Sequence, residues 1–255
     1  MLALRSALFN VLFYALLIAV MVGGLPTMLM GHRAALGVGR AWAKGSLWLL
    51  RVLCGTRVEF RGRGNIPAEA CLLAAKHQSL LEILALCSLF EDFTFVLKRE
   101  LTYIPLFGWY LARAGQIAVD RGRGRAALEQ VSRGARAVLG AGRQVFVFPE
   151  GTRRPPDAPP AYKAGLSFIY SETGAACLPV AVNTGLFWPR RSFLRRPGTA
   201  VVEFLPVIAP GLSRDAFQSR MIGAIEAASR SLTAEALEAD PGLAPPLRNA
   251  AAPAA

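Results

Sequence analysis

Short apolar runs and longer mixed stretches alternate along most of the chain after residue 55. The runs are rich in Val, Phe and Leu and lie at residues 58–60, 71–75, 93–97, 116–119, 144–148, 177–182 and 200–205. Helix-length stretches separate several of them, at residues 80–90, 125–139 and 162–171. Continuous apolar strands that alternate with helices predict an α/β domain, with a mostly parallel central sheet flanked by helices.

The C-terminal end of this domain is predicted to be one long helix. Ser213 is a suitable N-cap with Asp215 in the first turn, and the pattern runs to about Ala239 before Pro241-Gly242 stops it. The remaining tail is rich in Ala and Pro and has too little to bury, which predicts disorder. We therefore divide the chain into N-terminal helices at 1–55, an α/β domain at 56–240 and a disordered tail at 241–255.

The first 30 residues show a different pattern from the domain that follows. Residues 7–30 carry no charged side chain, and such a run is long enough to cross a hydrocarbon core of about 30 Å. The run exceeds the usual length of a signal-peptide core and no A-x-A-like site follows it, so we interpret it as a membrane segment. Gly23-Gly24 and Pro26 could instead break it into a re-entrant hairpin, and the sequence leaves these two topologies open.

Residues 33–53 are apolar but are interrupted by basic residues at regular positions. On a helix these residues fall within an arc of about 40°, and they are Arg33, Arg40, Lys44 and Arg51. A basic stripe on a helix that also carries tryptophans indicates a helix in the membrane interface, with its charges on lipid phosphates. The alternative is a surface helix packed on the domain. The basic residues follow the apolar run, which places the main domain in the cytoplasm if the first helix spans the membrane.

Composition narrows the class of protein. The formal charge is +12, with 29 Lys+Arg against 17 Asp+Glu, which suits lipid headgroups, phosphate ligands or nucleic acid. Hydrophobic residues make up 53% of the chain and charged residues 18%, which fits a soluble-type core attached to a bilayer. The four cysteines form no C-x-x-C pair and are expected to be buried free thiols in a reducing compartment. With two histidines and no paired cysteines, we expect no metal site.

The first candidate for chemistry follows the apolar run at 71–75. Ser79 and Glu82 have the spacing of a capping box, in which the serine hydroxyl bonds the third helical amide and the carboxylate reaches back to the N-cap amide. That geometry brings Glu82 close to His77, where a carboxylate fixes the tautomer of an imidazole and supports its cation. We predict that His77 is a general base held by Glu82. The alternative is that Glu82 only caps the helix and His77 is a loop histidine.

Two later strands also end at arginines. The run at 144–148 leads into Glu150, Gly151 and Arg153, where the glycine lets the backbone approach a ligand and the arginine offers a fork for phosphate oxygens. The run at 116–119 is followed by Asp120 and Arg121. Since sites of α/β sheets lie at the carboxyl ends of strands, the two arginines could converge on one phosphate monoester. The alternative is that both are solvated arginines in turns.

Together these motifs resemble the lysophosphatidic acid acyltransferase family, the 1-acylglycerol-3-phosphate O-acyltransferases, over roughly residues 55 to 210. The stretch 148–153, Phe-Pro-Glu-Gly-Thr-Arg, reproduces one family signature in full. His77 to Glu82 matches another signature, except that the acid is Glu where the family usually has Asp. The segments 98–109, 119–121 and 178–183 are also similar to family blocks.

The resemblance implies acyl transfer from acyl-ACP or acyl-CoA to the sn-2 hydroxyl of lysophosphatidic acid, which gives phosphatidic acid. His77 would deprotonate the hydroxyl and Glu82 would hold His77, with no acyl-enzyme, because the chain has no G-x-S-x-G elbow. No cofactor is implied beyond the acyl donor. The residues implied to bind the acceptor phosphate are Arg121, Glu150, Gly151, Thr152 and Arg153, with Lys98 and Pro179 in support. Glu150 could instead orient Arg153 or a loop amide.

Other acceptors and one other class of protein stay open at this point. The same His-Glu pair would serve an acyltransferase that acts on glycerol 3-phosphate or a lyso-ornithine lipid. The basic insert at 188–196 could shape the acceptor pocket or be a solvated loop on lipid phosphates. A non-enzymatic module that binds membranes or nucleic acid is disfavoured, because the arginines at 121–125 lack interleaved aromatics. We expect a lysophospholipid, an acyl donor and membrane lipids as partners, no nucleic acid, and a catalytic domain on the cytoplasmic face of the inner membrane.

Overall fold

The computed structural model describes residues 1–120, 122 and 124–244. Within this part of the chain the strands form one seven-stranded sheet in the order β1-β7-β6-β2-β5-β3-β4. The strands are β1 Thr56–Arg61, β2 Leu72–Ala75, β3 Phe93–Lys98, β4 Ile117–Val119, β5 Gln144–Val147, β6 Cys177–Val182 and β7 Gly198–Phe204. Neighbours are parallel except β6 and β7, which pair antiparallel. The predicted α/β class and the mostly parallel sheet are confirmed.

The helices flank this sheet and precede it. They are α1 Leu2–Gly23, α2 His32–Leu49, α3 Leu81–Leu89, α4 Phe107–Arg113, α5 Gly124–Gly140, α6 Gly165–Thr173 and α7 Arg214–Ala239. Short helical turns lie at Leu25–Leu29, Leu50–Cys54 and Arg99–Tyr103. The predicted helices correspond to α3, α5, α6 and α7, with ends that differ by no more than a few residues. Helix α4 was not predicted.

The central strand β2 is buried on both faces, which explains its uninterrupted apolar sequence. Because side chains alternate along a strand, Leu72 and Ala74 face one layer, formed with α5, α6 and α7. Leu73 and Ala75 face the opposite layer, where they pack in a cluster with residues of α1, α2, α3 and α4. The order of the sheet places β5 directly beside β2. The segments that follow these two strands therefore meet at the same edge of the sheet.

Helix α7 begins as the sequence predicts. Ser213 is its N-cap and accepts a hydrogen bond from the amide of Ala216 at 3.2 Å. After Ala239 the chain continues through an ordered turn at Pro241–Leu243, in which Leu243 is buried. The domain therefore extends a few residues past the predicted boundary at 240, because Leu243 supplies an apolar side chain to the core. The rest of the predicted tail, residues 245–255, lies outside the described residues.

Helix α1 is docked on the α/β domain along one face. Phe9 and Phe13 are buried and both rings pack edge-on against Trp188. Ser6 accepts a hydrogen bond from the amide of Arg195, and Asn10 accepts one from its guanidinium. The opposite face exposes large apolar side chains, among them Leu4, Leu8, Val11, Tyr14, Ile18 and Val22. By length and composition, α1 suffices to cross a membrane.

Helix α2 carries the basic residues for which the sequence offered two interpretations. Arg33 pairs with Asp92 at 3.0 Å, and Arg40 with Glu91 at 3.6 Å. Both acids belong to the segment between α3 and β3, so these two arginines contact the domain. The interpretation of α2 as a helix packed on the domain fits them, while Lys44 remains exposed.

The four cysteines are free thiols. Cys54, Cys71 and Cys177 are buried and Cys87 is half-buried. Burial raises the pKa of Cys71 to about 12 and that of Cys87 also to about 12, so these two thiols stay protonated at neutral pH. The prediction of unpaired cysteines is confirmed.

Candidate active site

His77 lies two residues after the end of β2. Its ring contacts Glu82, the carboxylate that the sequence predicts beside it. The distance from Nδ1 of His77 to Oε1 of Glu82 is 2.9 Å. Glu82 is 0% exposed. It also accepts hydrogen bonds from the amides of Gln78 and Ser79 at 2.9 and 2.8 Å, and from the hydroxyl of Thr184 at 2.6 Å. These donors compensate the cost of burying the carboxylate.

The imidazole is held in one orientation by two contacts. Nδ1 donates to the carboxylate of Glu82, and the ring stacks on Phe148 with centroids 4.1 Å apart and planes 23° apart. A ring that donates through Nδ1 carries its lone pair on Nε2. The side chain of His77 is 14% exposed, which leaves it accessible from the cavity that it lines. This arrangement suits a general base.

The turn into α3 differs in one detail from the predicted capping box. The carboxylate of Glu82 does reach back to the amide of Ser79. The hydroxyl of Ser79, however, accepts from the amide of Leu81 at 3.1 Å and donates to the carbonyl of Trp188 at 2.7 Å. The helix begins at Leu81 with Leu80 at the N-cap, so the Leu81 amide is the one within reach.

The backbone of His77 is held on both sides by the segment after β5. Its amide donates to Oε2 of Glu150 at 2.9 Å, and its carbonyl accepts from the amide of Arg154 at 2.8 Å. Glu150 is 2% exposed, and burial raises the pKa of its carboxyl. A buried carboxylate that holds an amide does not fit the expectation that Glu150 binds the acceptor phosphate. Of the roles considered for it, orienting a loop amide fits, and the amide is that of His77.

The other residues of the second signature face the cavity. Gly151, Thr152 and Arg153 line it together with His77 and Lys98. Gly151 has a φ of 69°, a conformation in which glycine is strongly preferred. The structure thus brings the predicted base and one predicted arginine to a common space.

Of the two remaining predicted residues, one is outside the part of the chain that the structure describes and the other lies in the sheet. Arg121 lies outside the described residues. Pro179 is buried inside β6, where it stands opposite Ala74 of β2 and its carbonyl accepts from the amide of Leu205. Its position supports the sheet beneath the site, since its carbonyl helps to hold the chain that follows β7.

The cavity has a volume of about 530 Å³, and His77, Arg153 and Arg190 are among its polar lining residues. The walls come from α1, α2, α3, β3 and α4, and among their residues are Leu17, Met21, Leu36, Val38, Trp42, Ile83, Phe95 and Tyr110. A space with apolar walls and a few convergent polar groups suits an amphiphile with an anionic head.

Arg190 is a lining residue whose role the sequence did not reveal. Its guanidinium donates to the carbonyl of Arg153 at 2.8 Å. The basic insert at 188–196 was noted in the sequence, but the contact joins loops after different strands, β5 and β6. The basic character of the insert was its signal, and only the fold selects Arg190 among its arginines. Within the described residues, no cluster of three or more metal-ligating side chains is found.

Comparison with known proteins identifies the family. Residues 57–183 match the family model described as Acyltransferase. Over 196 residues the chain is 36% identical to the 1-acyl-sn-glycerol-3-phosphate acyltransferase of Pseudomonas aeruginosa. The match covers 77% of this chain and 75% of that protein. The chain belongs to this family of O-acyltransferases.

Two other relatives of this acyltransferase show how the resemblance varies. The chain is 29% identical over 180 residues to the 1-acyl-sn-glycerol-3-phosphate acyltransferase of Saccharomyces cerevisiae, and this match covers 66% of the chain and 57% of the yeast protein. It is 32% identical over 136 residues to the lyso-ornithine lipid O-acyltransferase of P. aeruginosa, covering 53% of this chain and 52% of that protein.

A solved structure confirms the fold of this acyltransferase. The crystal structure of the 1-acyl-sn-glycerophosphate acyltransferase PlsC from Thermotoga maritima superposes with a TM-score of 0.76 at 23% sequence identity. The match covers 92% of this chain and 98% of that one.

Proposed function

We propose that this acyltransferase moves a fatty acyl group from acyl-ACP or acyl-CoA to the sn-2 hydroxyl of lysophosphatidic acid, giving phosphatidic acid and a free thiol. The observation that carries the proposal is the shared cavity, in which His77 and Arg153 line one mostly apolar space. The first of the relatives described above has this activity in its name, which supports the same acceptor here.

In the proposed mechanism His77 is the base. Nδ1–H is held by Glu82, so Nε2 takes the proton of the sn-2 hydroxyl while the oxygen attacks the thioester carbonyl. The imidazolium that forms is stabilised by the carboxylate of Glu82. The C–S bond then breaks, and the sulfur leaves as a thiol after taking the proton from His77. General base catalysis of this kind contributes about 10² to 10⁴ in rate.

The acceptor phosphate is assigned to the arginines that line the cavity. Arg153 and Arg190 offer charged donors there, and Lys98 and Thr152 line the same space. Arg121, implied by the family resemblance, stays in the proposal. Glu150 is left out of the phosphate ligands, since it acts on the His77 amide and a carboxylate would repel a phosphate.

The apolar walls are assigned to an acyl chain. Each methylene removed from water contributes about 0.8 kcal/mol, so a long chain is held mainly by the walls from α1, α2 and α4. Binding energy from the chain thereby positions the thioester or the acceptor hydroxyl beside His77.

The exposed apolar surface is assigned to the bilayer, with the catalytic domain on the cytoplasmic face of the inner membrane. Helix α4 contacts the C-terminal part of α1, where the hydroxyl of Tyr110 donates to the carbonyl of Met21 at 2.8 Å. In α4 and the segment before it Tyr103, Ile104 and Trp109 are exposed. Aromatic and apolar side chains of this kind favour the membrane interface.

The test is an assay of purified protein in phosphatidylglycerol-containing vesicles, with lysophosphatidic acid and either acyl-ACP or acyl-CoA. Phosphatidic acid and free thiol should appear in equal amounts. Glycerol 3-phosphate and lyso-ornithine lipid run in parallel as competing acceptors. Faster acylation of either of these would move the proposal to that acceptor, and no acylation of lysophosphatidic acid with either donor would refute it.

A further inference from the structure

A cluster of buried charged groups lies behind His77 and is not explained by the mechanism above. Lys76, the residue directly after β2, is 2% exposed, and its Nζ lies 2.5 Å from Oε1 of Glu226 on α7. The same nitrogen lies 3.6 Å from Oε1 of Glu150. Tyr162 donates its hydroxyl to Oε1 of Glu226 at 2.7 Å. Four separate segments of the chain thus contribute to one polar cluster inside an otherwise apolar layer.

Stability does not account for this cluster. Desolvating two carboxylates and an ammonium costs several kcal/mol per ion, and apolar residues of similar volume are often neutral or stabilising in place of a buried ion pair. Oε1 of Glu150 lies 3.6 Å from Nζ of Lys76 and 4.0 Å from Nε of Arg154, and it accepts no hydrogen bond from the described residues. Since folding energy alone does not favour such a cluster over apolar residues, its contacts point to a role at the site.

The cluster leads directly to the backbone of the candidate base. Oε2 of Glu150 accepts from the amide of His77 at 2.9 Å, while Oε1 of the same carboxylate faces Lys76. The amide of Lys76 in turn donates to the carbonyl of Val180 at 3.0 Å, which fixes the residue before His77 on the sheet. A displacement of Lys76 would therefore reach His77 through the peptide bond and through Glu150.

The electrostatics of the cluster keep Glu150 able to hold that amide. Burial raises the pKa of the Glu150 carboxyl, the amide of His77 and the charge of Lys76 oppose the rise, and the charge of Glu226 adds to it. Glu226 places Lys76, since their contact is the shorter one, at 2.5 Å against 3.6 Å. Without Glu226 the ammonium loses its main partner and its fixed position between the strands and α7.

We infer that Glu226 and Lys76 are positioning residues for the acyl transfer, which act through Glu150 to hold the His77 backbone where its ring meets the acceptor hydroxyl. The inference rests on the proposed role of His77 as base. It makes α7 part of the catalytic unit, although α7 lies beyond the segment 57–183 that matches the family model.

The decisive variant replaces the ion pair by an apolar pair, Lys76→Met with Glu226→Leu, in the full chain. We expect the variant to fold with a melting temperature a few degrees below that of the wild type, because the ion pair is removed as a unit while Glu150 and the hydroxyl of Tyr162 each lose a partner. Its kcat with lysophosphatidic acid and acyl donor should fall about 10-fold to 100-fold, because small misplacements of a catalytic group have effects of this size. KM for both substrates should change by less than about twofold, since neither residue lines the cavity.

A single neutral substitution guards against a pair that fails to fold. Glu226→Gln keeps the shape of the side chain and should lower kcat in the same direction. The matched control is Glu235→Gln on the same helix, where the carboxylate forms an exposed ion pair with Arg61 at 2.7 Å. That variant should keep the kcat of the wild type.

Three results would overturn the inference: wild-type kcat in the apolar pair or in Glu226→Gln, an effect confined to KM, or an equal loss of kcat in Glu235→Gln. His77→Ala is measured beside these variants. If His77→Ala keeps wild-type activity, the proposed base is wrong. If His77→Ala is inactive and the apolar pair is not impaired, only the positioning role fails.

Discussion

Two groups of residues at the cavity differ in their surroundings. The histidine side consists of His77, which lines the cavity, and Glu82, which holds it, and the arginine side consists of Gly151 to Arg153 and Arg190. On the histidine side the protein itself supplies the partners: the ring, the carboxylate and both backbone groups of His77 are hydrogen-bonded. On the arginine side the guanidinium of Arg153 donates to no protein acceptor within the described residues, and that of Arg190 reaches one carbonyl. The histidine side is therefore preorganised before substrate binds.

The difference teaches where each kind of specificity resides. A base must be held within about 0.5 Å of its productive position, so its surroundings are rigid and fully hydrogen-bonded. A phosphate-binding group gains its partner from the ligand, and exposed arginines remain solvated until then. Substitutions on the histidine side should therefore lower kcat, whereas substitutions on the arginine side should raise KM for the acceptor.

The largest expected effect is that of removing the base. His77→Ala should lower kcat by about 10²-fold to 10⁴-fold, with KM for lysophosphatidic acid changed far less. Steady-state assays of phosphatidic acid formation check it, with circular dichroism to confirm the fold. A residual rate close to wild type would mean that another group takes the proton.

The next largest effect concerns the carboxylate. Glu82→Gln should lower kcat by about 10²-fold or more, because an amide no longer fixes the tautomer or balances the imidazolium charge. Glu82→Asp restores the acid usual in the family and should lose less activity than Glu82→Gln, since it keeps the charge. Thermal melts accompany both assays. Equal losses in the two variants would show that geometry, and not charge, is what His77 requires.

On the arginine side the effect should be smaller and of a different kind. Arg153→Ala should raise KM for lysophosphatidic acid by about 10-fold, the loss expected for a charged hydrogen bond of roughly 1.5 kcal/mol, while kcat changes little. Initial rates across acceptor concentrations measure it. A fall in kcat with unchanged KM would place Arg153 with the histidine side.

Arg190→Ala should raise the same KM by less than Arg153→Ala, because part of its bonding is to the carbonyl of Arg153. Its neighbour provides the control: Arg191 is exposed and does not line the cavity, so Arg191→Ala should match the wild type. If both variants raise KM equally, the insert acts through its general charge and not through a specific contact.

The smallest expected effect on total rate comes from the apolar walls. Val38 lines the cavity one helical turn before Trp42 in α2. The variant Val38→Trp should therefore shift the preference toward shorter acyl chains. Its rate with a short-chain donor should stay near that of the wild type. Competition between acyl donors of different length measures the shift. Ala41→Trp, an exposed position on the same helix, should leave the preference unchanged.

The strands and most helices could be predicted because their pattern is local. Each apolar run is itself a strand, and Ser213 at the N-cap of α7 accepts from an amide only three residues further along the chain. Helix α4 was not predicted, because its seven residues, Phe107–Arg113, are too few to show a periodic pattern and follow Pro105.

The site was predicted where its partners are close in sequence and incompletely where they are distant. The contact of His77 with Glu82 spans five positions and follows from the start of one helix. The contact of Glu150 with the His77 amide spans 73 positions and exists only because β5 lies beside β2. For the same reason Glu226 and Arg190 carried no signal that distinguished them from other charged residues.

The hydrogen bonds between α1 and Arg195 have a practical consequence for attempts to shorten the protein at its N-terminus. Ser6, Asn10 and Phe9 hold the base of the same loop that carries Arg190, and α1 also closes one wall of the cavity. Cutting the chain after residue 30 would thus release the loop that carries Arg190 and open the cavity to water. Helix α1 is therefore an integral part of the folded enzyme, and a shortened chain that lacks it should lose activity.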